Sequence, residues 1–491
     1  MKDFAKKTAP KTTRRGLLQS ACAVATGLAA APARANIGSA TVRKTDIRIE
    51  HVSIAYEEYE YRTPIKFGGR VLDRATILNV DCTVRTRDGR VAKGFGSTPL
   101  GNIWSFPSKT MSYDQTLRAM KTHAEEMAKI TGSYSEYGHP IDINVALEPA
   151  YLKAAADTSM RLHLDEPIPK LCSLVTASAF DAAVHDAFGK AHRLNCYHTY
   201  GPEFMRYDLS HYLGPEYKGL FPSKFLSAEP KARMPLYHLV SAIDPIEESD
   251  ITQRVGDGLP ETLPEWIRYN GLTHLKIKLN GDNRKWDVER VLRVDKVTTQ
   301  TQAARGVRDW VYSLDFNEKC PNVEYLIDFL NEVKQKSPGG YARIQYVEQP
   351  TARDLKAHPE NQMHAAAKLV PVVIDESLTD VDALRTALAM GYTGAALKAC
   401  KGQTHMVLIS SIGVKHKLFL CVQDLTCVGA SLIHSAGIAA HIPGVAAIES
   451  NGRQYCPEAN AKWDAKFPGV FTITDGTMNT AILNSPGLGA V

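Results

Sequence analysis

The sequence predicts an α/β fold in which an α+β domain precedes a parallel (β/α) barrel, and three observations carry that prediction. From Met234 onward, apolar strand-like runs alternate with amphipathic helical stretches until eight strands have been passed. Ahead of them, β-rich runs come first and helical periodicity follows, the order of a separate α+β unit. The chain has 491 residues, 44% of them hydrophobic and 23% charged, which is enough to bury the cores of both parts.

The first domain is read over residues 46–201. Asp46–Ile54 alternates apolar and polar residues, and Ala75–Val84 is a β-rich run reaching a turn at Arg87-Asp88-Gly89. Helical periodicity follows at Tyr113–Ile130 and again at Ala177–Ala191. Residues 202–232 hold Pro, Gly, Tyr and charge without a period, and read as a linker or insertion.

The barrel is placed at 233–450. Its expected strands are Leu236–Val240, Leu272–Lys278, Trp310–Asp315, Ile344–Glu348, Val370–Asp375, Gly394–Lys398, Leu418–Gln423 and Val445–Glu449. Helical stretches such as Trp286–Val297, Val323–Val333 and Ala383–Met390 separate them. Residues 451–491 contain no further βα unit and are expected to pack back on the first domain.

Residues 1–35 read as a targeting segment. A basic stretch containing Arg14-Arg15 leads into a modestly apolar run from Leu17 to Ala31, then Ala33-Arg34-Ala35. This is the pattern of a twin-arginine export signal cleaved after Ala35, and it predicts a periplasmic protein. The run is shorter than the roughly 20 residues of a spanning helix and is broken by Gly27 and Pro32, so no membrane anchor is expected. The net charge of +5 owes much to this segment, and nothing in the remainder calls for nucleic acid. The cysteines beyond it show no C-x-x-C pair and are expected to be buried free thiols.

The chemistry lies in what ends each strand. Strand two ends at Lys276-Ile277-Lys278, strand three at Asp315-Phe316-Asn317, strand four at Glu348-Gln349-Pro350, strand five at Asp375-Glu376-Ser377 and strand six at Lys398. Barrel strands converge at their C-terminal ends, so these charges share one mouth. Three carboxylates there would repel one another, and a bound Mg²⁺, with Mn²⁺ as the alternative, resolves the repulsion through oxygen ligation. Lys276 and Lys278, at i and i+2, share one face of strand two. A lysine crowded by another cation and a metal has its pKa pulled down and can act as a base. Taken singly, a strand-end lysine is ordinarily solvated and a strand-end aspartate ordinarily caps the next helix. Capping does not explain the whole set in this order at one end.

These motifs resemble the enolase superfamily, and within it the muconate-lactonizing-enzyme-like (mandelate racemase/muconate lactonizing enzyme) group. The stretch Ala179–Ala191 is similar to the family helix that precedes the barrel, and the specificity loops of the capping domain fall near Thr63–Gly69 and Gly94–Trp104. The resemblance implies a modified TIM barrel, (β/α)7β, with an N-terminal α+β capping domain. It implies Asp315, Glu348 and Asp375 as ligands of a catalytic Mg²⁺, and Lys278 and Lys398 as the acid–base pair, with Lys276 lowering the pKa of Lys278. Asn317, Asp424 and Glu449 take supporting or substrate-binding positions, although Asp424 also reads as a cap for a helix starting near Gly429. Glu449-Ser450-Asn451 departs from the D-x-D with which dipeptide epimerases hold a substrate ammonium. The implied activity is abstraction of the proton α to a carboxylate through an enediolate. A racemase, epimerase or cycloisomerase of a small carboxylate or amino-acid derivative comes first, then a dehydratase, then an exported metal- or ligand-binding protein without turnover. Homo-oligomers are expected from the same resemblance.

Overall fold

A computed structural model describes residues 43–67 and 70–489. The segment read as an export signal, and Gly68 and Gly69 of the first expected loop, lie outside them.

The first domain begins with an antiparallel meander of β1 (Ile47–Phe67), β2 (Arg70–Thr86) and β3 (Val91–Pro99). The expected turn is made at Gly89, whose φ of 93° suits glycine. Strand β1 runs well beyond Ile54, because its second half still pairs with β2 as far as Phe67↔Arg70, with one irregularity between Glu60 and Ile65. Helices α1 (Asn102–Ser105), α2 (Tyr113–Ser133), α3 (Pro140–Arg161) and α4 (Lys170–His192) follow. A capping box between Ser112 and Gln115 starts α2. Helix α4 is buried on nearly every side, held between the meander and the barrel. Its approach to β3 depends on Gly94 and Gly96: a Cβ at either would stand 2.1 Å from the Ala183 carbonyl or 1.9 Å from that of Ala179.

Residues 202–232 carry the short α5 (Ser210–Leu213). This segment is packed, since Leu209, Leu213, Tyr217 and Leu226 are buried.

The barrel then runs β4 (Arg233–Val240), α6 (Leu263–Asn270), β5 (His274–Lys278), α7 (Arg284–Ala304), β6 (Val311–Asp315), α8 (Val323–Lys336), α9 (Pro338–Ala342) and β7 (Ile344–Glu348). It continues β8 (Val372–Ile374), α10 (Val381–Ala389), β9 (Gly394–Leu397), α11 (Gln403–Lys415), β10 (Phe419–Val422), α12 (Ala430–His441) and β11 (Val445–Glu449). Neighbouring strands are parallel, and β11 pairs with β4 through Ile448↔Leu236 and Glu449↔Tyr237, so the eight-stranded barrel is closed. Between β7 and β8 the connecting helix shrinks to a 3₁₀ turn at Ala366–Lys368. Inside the barrel, Tyr237, Tyr346, Val373, Ala396, Cys421 and Ala447 form an apolar plug beneath the charged mouth.

The tail holds α13 (Gly452–Tyr455), α14 (Ala461–Asp464) and β12 (Thr477–Asn479), which pairs antiparallel with β4. It ends against the first domain, where the Leu488 N–H donates to Asp186 Oδ1 at 2.9 Å and the Cys196 N–H to the Gly487 carbonyl at 2.8 Å. All eight cysteines of the described residues are buried and free. Among those residues no helix is long and apolar enough to cross a membrane.

Candidate active site

Three of the expected site residues form one row across adjacent strands. Lys278 of β5 is in register with Asp315 of β6, and Asp315 with Glu348 of β7. Asp375 follows β8 directly and Lys398 follows β9, at the same end of the barrel.

The lysines stand among the carboxylates. Lys276 Nζ lies 2.9 Å from Asp315, 3.0 Å from Glu348 and 3.0 Å from Glu449, and donates to Gln423 Oε1 at 2.6 Å. Lys278 Nζ reaches Asp315 Oδ2 at 2.5 Å and Asn317 Oδ1 at 2.9 Å. Lys398 Nζ lies 2.8 Å from Asp375 Oδ2, while Lys401 Nζ takes Oδ1 of the same carboxylate at 3.1 Å. Among the described residues, no three His, Cys, Asp or Glu side chains are already gathered as a metal cage. Two oxygens of the expected ligand set, Glu348 Oε2 and Asp375 Oδ2, are buried and accept no well-aligned hydrogen bond, each facing only an ammonium, that of Lys276 at 3.0 Å and that of Lys398 at 2.8 Å.

Electrostatics follow from that crowding. Burial would raise the carboxyls of Asp315 and Asp375, but the adjacent lysines overcome it and hold both well below the usual range. Glu348 is pushed the other way, by burial and by Asp315 beside it. Burial alone would depress Lys276 and Lys398, but Asp315, Glu348 and Glu449 around the first, and Asp375 and Glu348 around the second, hold them above their ordinary range. Attraction to several carboxylates outweighs repulsion between two ammonium groups.

Backbone at the strand ends is shaped to present these groups. Asn317, Glu318 and Gln349 have φ of 45°, 62° and 30°, and such left-handed conformations cluster where side chains must be aimed. The Gln349 amide accepts from the Asp375 N–H at 3.0 Å and from the Ser377 N–H at 3.2 Å, so the E-Q-P motif clamps the neighbouring ligand loop.

The family model described as Enolase C-terminal domain-like matches residues 259–491. Residues 259–491 are thus similar to an enolase C-terminal domain. Solved structures of similar fold include a muconate lactonizing enzyme from Pseudomonas fluorescens complexed with muconolactone. It is 15% identical with a TM-score of 0.59, over 90% of this chain and 96% of the other. A Bradyrhizobium enolase complexed with magnesium and mandelic acid is 13% identical with a TM-score of 0.58, over 91% and 96%. An Enterococcus faecalis dipeptide epimerase complexed with Mg and L-Leu-L-Tyr is 14% identical with a TM-score of 0.57, over 90% and 99%. No curated protein matches the sequence.

In the barrel mouth the supporting residues take definite places. Asp424 is buried and accepts from the N–H groups of Leu425, Cys427 and Asn451 at 2.9, 2.7 and 2.5 Å. It therefore ties the loop after β10 to the turn after β11. It does not cap α12, whose N-cap is Gly429. Burial and the nearby Glu449 push its carboxyl up to about 6. Asn451 donates to Glu449 Oε1 at 2.9 Å, and Asn317 donates to Glu376 Oε1 at 3.2 Å. Glu449 does meet a cation, namely the protein's own Lys276.

Four contributors were not singled out from the sequence: Trp104, Glu376, Lys401 and Gln423. Glu376 stands inside the D-E-S motif and Trp104 at the end of the expected second loop, so their neighbourhoods were legible but their roles were not. Lys401 and Gln423 carried no signal beyond proximity to Lys398 and Asp424.

The site opens into a narrow cavity of about 60 Å³ roofed by the first domain. Lys276, Lys278 and Lys398 line it from below, and Tyr61, Ile65, Leu72, Arg74, Trp104 and Tyr113 line it from above.

Proposed function

We propose that the protein is a Mg²⁺-dependent enzyme that removes the proton α to the carboxylate of a small substrate. One observation carries this reading: Lys278 and Lys398, on the second and sixth of eight barrel strands, face one cavity from opposite sides beside a row of carboxylates. A planar carbon held between them has an acid–base group on each face.

Asp315, Glu348 and Asp375 would hold the cation. The buried carboxylate oxygens of Glu348 and Asp375, which face only lysine ammonium groups, and the all-oxygen donor set fit Mg²⁺, and Mn²⁺ next. When bound, the ion supplies Lewis-acid stabilisation of charge developing on the substrate carboxylate. The protein's own groups do the rest. One lysine takes the α-proton at Nζ and the other delivers a proton on the opposite face, or holds its charge against the leaving bond. Lys276 adds a fixed positive charge at the base of the cavity, and the roof from Trp104 to Tyr61 limits water.

This chemistry suits a racemase, epimerase or cycloisomerase. The apolar roof residues Ile65 and Leu72 fit a carboxylate with an apolar body, of the kind represented by the mandelic acid and muconolactone bound in similar folds. Glu449 is engaged by Lys276, which argues against a substrate ammonium in the dipeptide-epimerase manner. A dehydratase would use the same proton abstraction with loss of a β-hydroxyl. Export to the periplasm by residues 1–35 belongs to the proposal.

The test is incubation with Mg²⁺ in D₂O and pooled hydroxy acids, amino-acid derivatives and unsaturated diacids, followed by NMR. Expected is Mg²⁺-dependent α-deuteration that Lys278→Ala and Lys398→Ala abolish or restrict to one face. Deuteration that ignores both substitutions would sink the assignment.

A further inference from the structure

A second cavity, of about 430 Å³, opens between α6 and the C-terminal tail, separate from the active site. Leu259, Trp266, Tyr269, Phe471 and Ile473 give it apolar and aromatic walls, and Tyr269 is 59% exposed at its edge. Its lining also includes Arg453 and Asn460, both buried.

Arg453 is the unusual member. Its guanidinium donates to Asn270 Oδ1 at 2.6 Å and to His238 Nδ1 at 2.5 Å, and it lies 5.1 Å from the Trp266 ring centre. All three partners are neutral, since burial and Arg453 itself keep His238 from taking up a proton. Among the described residues the groups that act on the charge of Arg453 are Tyr455 and Tyr269 and no carboxylate, and its Nε has no partner. Burial without an anion presses the guanidinium down to about 9. The Asn460 side-chain NH₂ is likewise buried and unpartnered, its Oδ1 being taken by the Gly429 N–H at 2.8 Å. The carboxylate that does line this cavity, Asp464, is occupied by the Thr472 hydroxyl at 3.2 Å. A buried cation with only neutral partners is costly, and an anion supplies the missing charge.

We propose that this cavity binds a small organic anion with a flat apolar body, an aromatic carboxylate being the matching class. The carboxylate pairs with Arg453 and the Asn460 amide, as a guanidinium fork favours. The ring packs between Trp266, Tyr269 and Phe471. The site stands close behind the first one: the next residue, Gln454, donates to the Leu239 carbonyl at 3.0 Å, and Leu239 lines the active cavity.

The experiment titrates 4-fluorobenzoate into the full chain and follows ¹⁹F line broadening. Wild type, Arg453→Met, Tyr269→Glu and Lys398→Ala are compared. Tyr269→Glu places a repelling charge at the exposed edge without touching the core, so it reports even if Arg453→Met fails to fold. Expected is binding weakened at least tenfold by Tyr269→Glu and by a folded Arg453→Met, and unchanged by Lys398→Ala. No binding, or binding lost in Lys398→Ala and kept in Tyr269→Glu, would overturn the proposal.

Discussion

The ammonium of Lys398 lies 4.2 Å from the centre of the Trp104 ring, so the first domain touches a barrel lysine directly. The indole N–H of the same residue donates to Glu376 Oε1 at 3.0 Å, beside Asp375. Arg353 fixes the other side by donating to the Trp104 carbonyl at 3.1 Å. One buried ring therefore sets the height of the lysine and the position of the β8 loop together.

Trp104→Ala should lower the unfolding free energy by about 3–5 kcal/mol through the cavity it leaves. Trp104→Phe keeps a ring face over Lys398 but loses the bond to Glu376, a cost of about 1 kcal/mol. Urea unfolding separates the two. In deuterium exchange, Trp104→Ala should lose roughly tenfold or more on the face served by Lys398, the scale of a desolvated cation–π contact. Equal loss on both faces would make the ring a packing element only.

Lys276 neutralises Asp315, Glu348 and Glu449 at once, so Lys276→Met strands Glu348 and Glu449 and leaves Asp315 to Lys278 alone. Without metal this should cost about 3–5 kcal/mol. Added Mg²⁺ should raise the Tm of Lys276→Met more than that of wild type, since the ion offsets repulsion that the lysine no longer does. Asp375→Asn should blunt the Mg²⁺ response in either background. Thermal unfolding with EDTA and with millimolar Mg²⁺ checks all four proteins.

The barrel was legible because its strands are short apolar runs that must end in polar residues at the mouth. Each expected strand overlaps an observed one, from Arg233–Val240 to Val445–Glu449. Helix α3 left no trace, because Pro149 and a run of alanines blur its periodicity. Helix α4 was found only from Ala177, because Lys170–Thr176 packs apolar groups on all sides and so shows no amphipathic stripe. The pairing of Lys276 and Lys398 with particular carboxylates was not legible, because spacing along strands locates these groups but says nothing of which oxygen each lysine meets. The Trp104–Lys398 contact joins two domains, and no local pattern encodes it.

Gly94→Ala should be among the most damaging conservative substitutions in the first domain. Its Cβ would meet the Ala183 carbonyl at 2.1 Å and the Ala187 nitrogen at 2.3 Å, both backbone atoms of α4 that cannot rotate away. Overpacking of this kind costs about 1–3 kcal/mol or more. Gly132→Ala is the control, since nothing lies within 4 Å of the added methyl. A Gly94→Ala urea midpoint equal to that of the control would mean that β3 and α4 are free to separate.

His123 gives a pH test away from the barrel mouth. It is buried on α2, 2.6 Å from the Ser173 hydroxyl, and burial pushes it down to about 4. The unfolded chain takes up this proton near its ordinary pKa of about 6.5 and the folded one does not. Its contribution to stability is therefore complete above that pH and is lost as pH falls toward 4. Glu376 and Asp424, pushed up to about 7 and about 6, act in the opposite sense, so the total pH dependence mixes both signs. The difference between wild type and His123→Gln removes that mixture. Between pH 7.5 and 5, wild type should lose about 2 kcal/mol more than the variant, the linkage of one proton over that span. Urea midpoints at the two pH values measure it, and parallel curves would place His123 in contact with water.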